Sequence, residues 1–379
     1  MLATGKVPDG LLRRIVRRRL ADKLDELERA AGGDDAAALR SYAAALAAGP
    51  LVIHQDDANR QHYELPTGFF ELILGPRLKY SSCLWPPGVD DLAAAEEAML
   101  GLTCERAGIE DGMEVLDLGC GWGSLALFVA ERFPDCRVTA MSNSQTQAGH
   151  IRAACSRAGI DSVTAVTADI ATCDPRRRCD RIVSVEMLEH VRNYREMFAR
   201  LHGWLAPGGR VFAHVFSHRR FAHTFSADDP HDWMGSRFFS GGQMPAHDLF
   251  LQFDDDLVTE DRWWVDGRHY ARTLEAWLRL YDERADAIAP ILAGTYGSDA
   301  ARGWRVDWRL FFLTCAETWA YDGGREWGVS HYLLAPRDES AARPSPASSP
   351  STKASFAAGA PPSPAGGASG SDDTKAAHD

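Results

Sequence analysis

A chain of 379 residues with 45% hydrophobic and 25% charged residues has the make-up of an ordinary soluble globular protein, long enough to bury a large core. Its 41 basic and 53 acidic residues leave a net charge of −12, which argues against nucleic acid as a partner and favours a small cationic substrate. No stretch approaches ~20 apolar residues, so no membrane-spanning helix is expected. The N-terminus lacks an apolar signal core, and the expected location is cytoplasmic. Eight cysteines are scattered from Cys83 to Cys315 with no Cys-x-x-Cys pair, which reads as reduced, mostly buried thiols and no metal site.

Taken in chain order, residues 8–30 read as a helix, because Leu12, Val16, Leu20, Leu24 and Leu27 recur at helical spacing. Arg13, Arg14, Arg17 and Arg18 occupy the other face. A solvated face of a helix packed on the body is favoured over contact with a membrane surface. Residues 35–48, rich in alanine, form a second helix, and Leu92 to Cys104 a third that leads into the core. Strands follow at 114–118, 137–142, 163–168, 180–186 and 210–216, with helices near 124–133, 145–158 and 193–205 between them. This alternation predicts a doubly wound α/β fold with a parallel sheet. Ala206-Pro207-Gly208-Gly209 reads as a turn before the fifth strand. From 218 to about 325 the rhythm is lost and tryptophan and phenylalanine become dense, which predicts a mostly helical cap, with strands at 261–266 and 328–334. Residues 338–379 are Ala, Ser, Pro and Gly with one aromatic, Phe356, a composition expected to stay disordered. The expected divisions are thus an N-terminal helical region (1–105), a ligand-binding core (106–217), a cap with the last core strands (218–337) and the tail.

The densest chemical signal is Glu-Val-Leu-Asp-Leu-Gly-Cys-Gly-Trp-Gly-Ser at 114–124, a buried strand, a glycine turn and a helix start. Such a turn puts backbone N–H groups around a ligand of nucleotide size. Its Gly-x-Gly-x-Gly spacing differs from the Gly-x-Gly-x-x-Gly of dinucleotide binders and favours a ligand without a pyrophosphate. Glycine there lets the backbone approach a ligand with no Cβ between them. The spacing and its leading Asp117 resemble motif I of S-adenosylmethionine-dependent methyltransferases, with Asp117, Gly119 and Gly121 as cofactor-binding residues.

Five further stretches, with the glycine motif itself extended to Leu125, sharpen that resemblance: Leu-Lys-Tyr-Ser-Ser-Cys (78–83), Ala-Met-Leu-Gly-Leu-Thr-Cys-Glu-Arg-Ala (98–107), Glu-Met-Leu-Glu-His (186–190), Phe-Phe-Ser-Gly-Gly-Gln-Met-Pro (238–245) and Gly-Arg-His-Tyr-Ala-Arg-Thr (267–273). From about Gly5 to Arg337 the chain resembles the cyclopropane-fatty-acid synthase and mycolic acid synthase superfamily of class I methyltransferases, and within it the coclaurine N-methyltransferase branch. The resemblance implies a mostly parallel, seven-stranded Rossmann-like sheet with N-terminal helices and a helical substrate cap, and S-adenosylmethionine as cofactor. The implied activity is N-methylation of a small, aromatic or tetrahydroisoquinoline-like amine. Methylation or cyclopropanation of a lipid is the alternative, and a non-catalytic cofactor-binding scaffold the second. A homodimer is left open.

The resemblance also implies site residues. Asn143 and Gln147 bind the ribose in place of the more usual acid, Asp169 accepts from the adenine amine and Ile170 packs on its ring, and Tyr80 and Ser81 close over the methionine end. Ser144, Asn143 and Asp169 are equally good helix or turn caps from spacing alone. Glu186, Glu189 and His190 are the catalytic candidates. A helical turn at the end of the fourth strand would put 186 and 190 on one face, and a carboxylate beside an imidazole raises its basicity and orients it. Either glutamate is able to hold a substrate ammonium. Phe239, Trp304, Trp308, Phe311 and Phe312 are candidates for an aromatic, cation-friendly substrate box. Cyclopropane synthases hold a bicarbonate ion as base with a Cys, a Glu, a His and a Tyr. Those places read here as Ser82, Arg237, Trp264 and Phe311 or Phe312, which implies that this cage is largely gone. Cys315 reads as a core thiol.

Overall fold

The computed structural model describes residues 7–53, 65–175, 177–226 and 232–338. The segment 339–379, nearly all of the expected tail, lies outside them. In the first half the described elements are α1 (Asp9–Ala31), α2 (Asp35–Ala47), α3 (Thr67–Ile73), α4 (Leu92–Ala107), β1 (Glu114–Leu118), α5 (Ser124–Arg132), β2 (Arg137–Ser142), α6 (Gln145–Ala158), β3 (Val163–Thr167) and β4 (Cys179–Val185). They continue with α7 (Tyr194–Trp204), β5 (Leu205–His218), β6 (His223–Thr224), α8 (Trp233–Arg237), β7 (Gln243–Met244), β8 (Leu257–Val265), α9 (Gly267–Glu283), α10 (Ala285–Tyr296), α11 (Ser298–Ala320) and β9 (Trp327–Pro336).

The main sheet has seven strands in the order β3-β2-β1-β4-β5-β9-β8. β1 to β5 run parallel and β9 is antiparallel to both of its neighbours. The strand order reverses at β1/β4, and in doubly wound sheets ligands settle beyond the carboxyl ends of the strands at that point. Buried aliphatic residues on β1 (Val115, Leu116, Leu118) and on β4 (Ile182, Val183) explain why these two strands sit at the centre.

Three differences from the expected elements have local causes. The fifth strand begins at Leu205, because Gly208 at φ +77° and a register shift between Cys179 and Arg181 carry the Pro-Gly-Gly segment into the ladder. β8 begins before its predicted strand and β9 outruns its own at both ends, because β5 and β8 each pair with β9 over eight positions. Helix α1 packs on α11 through Leu12, but its basic face is not simply solvated. Arg13 reaches Glu317 at 2.8 Å and pairs with Glu275, while Arg17 pairs with Glu317. These bonds turn two of the four arginines toward the body. No described helix is long and apolar enough to cross a membrane. All eight cysteines are free, six of them buried.

Candidate active site

Two cavities meet at the carboxyl end of the sheet. The first is lined by Asp117, Gly119 and Gly121 from β1 and its turn, by Asn143 and Gln147 after β2, by Ile170 after β3, and by Tyr80 and Ser81 from the loop before α4. Gly119 sits at φ +81°, and a Cβ there would lie 2.5 Å from Met187 Cγ. Only glycine fits this bend. At Gly121 a Cβ would meet nothing within 4 Å, so the open side of the turn faces the cavity. The carboxylate of Asp117 is buried, with Oδ2 unpartnered among the described residues. Burial pushes its pKa up to about 7, against one backbone hydrogen bond from Ala126 that pulls it down. A cradle of bare backbone beside an orphaned carboxylate oxygen suits a ligand with a positively charged amino-acid end, and S-adenosylmethionine fits it. Among the predicted cofactor residues Asp169 is the exception. It does not line the cavity. Its Oδ1 accepts from Ala171 N at 2.8 Å, the turn-capping role that Asp takes readily, while Ala168 and Ile170 face inward.

The loop that carries Tyr80 is held from below. Glu96 of α4, wholly buried, accepts from the backbone N–H groups of Gly75, Arg77 and Lys79 at 3.1, 2.9 and 3.2 Å. Lys79 Nζ in turn donates to Ser81 Oγ at 2.5 Å and Ser82 O at 2.7 Å. Burial holds that amine below the usual lysine range.

The second cavity is lined by Phe216, Phe225, Phe239, Tyr270, Trp277, Phe311, Cys315 and Trp319 among others, and it shares Tyr80, Glu186 and His190 with the first. Of the five predicted box residues, Phe239 and Phe311 line it. Trp308 does not; it is fully buried among Phe69, Phe238 and Phe312. Phe312 packs on Trp277 and Tyr281, and Trp304 stacks on Tyr296 at 4.2 Å. Helical spacing on α11 alternates core and cavity positions, and spacing by itself does not separate them.

Glu186 follows the last residue of β4 with φ +48°, a left-handed value that costs a non-glycine residue about 1–2 kcal/mol. Its N–H is tied to His214 O at 2.8 Å, and a short 3₁₀ turn, Leu188–His190, follows. The kink aims the two glutamates apart. Glu186 Oε1 accepts from Ser82 N at 2.9 Å and lies 3.1 Å from His214 Nε2, and Oε2 accepts from Tyr270 Oη at 2.5 Å. Burial raises its pKa, while Lys79 and these donors pull it down. Glu189 lines neither cavity. Its Oε1 accepts from Phe216 N at 2.7 Å and its Oε2 has no partner among the described residues. Burial, then the charge of Glu186, hold its carboxyl well above the usual range.

His190 corrects one expectation. Among the described residues no carboxylate raises its basicity. Burial lowers its pKa to about 4, and Nδ1 has no hydrogen-bond partner among the described residues. The imidazole that meets Glu186 belongs to His214 instead. The proposed cage positions also fall elsewhere. Arg237 pairs with Asp307 and lies over Trp304, and Trp264 packs on His247. Ser82 bonds Glu186 through its backbone N–H, and Phe311 lines the cavity that Glu186 faces. Sequence reasoning missed His214, Tyr270 and Lys79. The available signal was a polar residue within an apolar strand, Val-Phe-Ala-His-Val-Phe at 211–216.

The family model for mycolic acid cyclopropane synthetase matches residues 52–320. (S)-Coclaurine N-methyltransferase of Thalictrum flavum subsp. glaucum is 33% identical over 88% of this chain and 93% of its own length. Cyclopropane-fatty-acyl-phospholipid synthase of Escherichia coli is 33% identical over 62% of this chain and 58% of its own. Among solved structures, coclaurine N-methyltransferase bound to N-methylheliamine and S-adenosylhomocysteine superposes with a TM-score of 0.84 at 34% identity, covering 88% of this chain and 97% of that one.

Proposed function

Because the chain belongs to the mycolic acid cyclopropane synthetase family and is an S-adenosylmethionine-dependent methyltransferase, we propose that it methylates the nitrogen of a small aromatic amine held in the second cavity. One observation carries this reading: Tyr80, Glu186 and His190 line both cavities, so a cofactor on one side and an acceptor on the other meet at a carboxylate and a neutral imidazole. The likeness to coclaurine N-methyltransferase over most of both chains supports it.

When bound, S-adenosylmethionine supplies an electrophilic methyl group on a cationic sulfur. The residues of this chain do the rest. Phe216, Phe239 and Phe311 exclude water and offer ring faces to a cation or an aromatic acceptor. The Glu186 carboxylate, fixed by three donors, attracts the ammonium form of the amine and orients its nitrogen. His190 stays neutral at pH 7, since burial lowers its pKa to about 4, and as a weak base it relays the proton that the amine must lose and does not keep it.

The test is incubation of the purified protein with labelled cofactor and, in separate arms, tetrahydroisoquinolines, simple biogenic amines and vesicles of unsaturated phospholipid. The expected result is N-methyl product from at least one amine and none from the vesicles. Labelled lipid with every amine untouched overturns the proposal.

A further inference from the structure

Glu186 ends a chain of hydrogen bonds that crosses the sheet. His214 Nε2 lies 3.1 Å from Glu186 Oε1, His331 Nε2 lies 3.0 Å from His214 Nδ1, and Arg106 Nη1 lies 2.7 Å from His331 Nδ1. His214 and His331 face each other as register partners on β5 and β9, and both are fully buried. Arg106 comes from the last turn of α4. Its guanidinium lies 4.8 Å over the Trp263 ring and has no carboxylate partner among the described residues.

The direction of the chain follows from its far end. A guanidinium carries N–H donors and no acceptor. Arg106 therefore donates, and His331 Nδ1 must be the lone-pair nitrogen. A neutral imidazole with a bare Nδ1 has its proton on Nε2. His331 then donates to His214 Nδ1, and His214 donates through Nε2 to Glu186. Both rings stay neutral because burial, reinforced by the charges of Arg106 and Lys79, holds them well below the usual histidine range.

We propose that Arg106, through His331 and His214, is a positioning residue that fixes both tautomers so that every donor of the chain points at Glu186 and keeps it a carboxylate. Arg106 lines neither the cofactor cavity nor the aromatic one. The chain also cannot export a proton, since its outer end accepts none. The proton shed by the amine must leave by another route, which fits His190 as its acceptor. The proposal rests on the reading of Glu186 as the ammonium anchor.

Other groups act on Glu186 from each element around it: Lys79 and Cys83 from the loop before α4, Tyr270 from α9, Cys315 from α11 and Glu189 from its own turn. A change at Arg106 alters none of these directly, so its effect is read through the two histidines.

Two measurements test this on the full chain. Nitrogen-15 NMR of histidine-labelled protein saturated with S-adenosylhomocysteine reports the tautomers. His214 and His331 are expected to be neutral and protonated at Nε2 between pH 6 and 8. A proton on Nδ1 of either, or a cationic ring at pH 7, overturns the proposal. The second measurement compares Arg106→Met and Arg106→Lys in the amine assay. Arg106→Met is expected to raise KM for the amine roughly 3- to 10-fold, the scale of one weakened hydrogen bond to a charged group, with kcat within twofold. The acid limb of its kcat/KM profile should move up by about one pH unit. Lysine, also donor-only, should restore both. A methionine variant whose pH profile superposes on the parent overturns the proposal. The NMR readout needs no turnover, so a failed amine reading and a failed tautomer assignment are distinguishable.

Discussion

Replacing Glu186 by glutamine separates the charge of this residue from its place in the fold. Its two oxygens face different partners. Ser82 N and His214 Nε2 both donate to Oε1, whereas Tyr270 Oη meets Oε2. A glutamine amide turned with its nitrogen toward the first pair would set donor against donor twice. Turned the other way, its oxygen keeps both bonds, and the tyrosine hydroxyl rotates to accept from the amide. The variant therefore folds and retains its hydrogen bonds, and what it loses is one negative charge beside the aromatic cavity. A hydrogen bond to a charged group is worth about 1.5–3 kcal/mol. On that scale kcat/KM for the amine should fall roughly 10- to 150-fold at pH 7, read from initial rates. Calorimetry with S-adenosylhomocysteine, whose sulfur is uncharged, should give an affinity within about threefold of the parent. Amine kcat/KM that stays within threefold, while cofactor-product binding is intact, refutes the account of Glu186 as the ammonium anchor.

Other substitutions isolate the remaining parts. His190→Ala should lower kcat by about 10²-fold or more, the usual contribution of a positioned base, and leave S-adenosylhomocysteine affinity nearly unchanged. Glu189 has its pKa raised on folding, so the folded state holds its proton above the pH at which the unfolded chain has lost it. Thermal stability should decline as pH climbs from the ordinary carboxylate range toward that raised value, and Glu189→Gln should flatten the slope in melting curves recorded from pH 5 to 9. Gly119→Ala would set a Cβ 2.5 Å from Met187 Cγ at a left-handed backbone. It should cost at least about 1–2 kcal/mol of folding stability and abolish measurable binding of S-adenosylhomocysteine.

The sheet was readable in the sequence because the glycine turn anchors β1 and each following strand is a short apolar run between helices. Helix α6 begins and ends where its pattern predicts, with Ser144 as its N-cap. The ends of β5 and β9 were less readable, since Gly208 and Gly209 signal a turn by local rules and are drawn into the ladder by neighbouring strands. At the site, residues close in sequence were legible, as with Glu186 to His190. Partners contributed by distant elements were not. Tyr270 stands 84 positions from Glu186, and His331 stands 117 from His214. No periodicity links such pairs; the register of β5 against β9 and the docking of α9 bring them together. The aromatic box was legible only in part, with Phe239 and Phe311 on the cavity wall, for the opposite reason. Trp304, Trp308, Phe311 and Phe312 share a helix, and which of them face a void depends on what α8 to α10 place around them.

The division of labour between the two cavities has a consequence for how such an enzyme diversifies. The first cavity is lined mainly by strand ends, the turns and helix starts that follow them and one clamped loop, whereas Phe239, Leu274 and Phe311, which line the second, lie among the later helical segments. Selection for a new acceptor is therefore free to remodel α9, α11 and the turn after α8 while the methyl-donor half stays untouched. A library confined to those three positions samples altered specificity at little risk to the donor pocket.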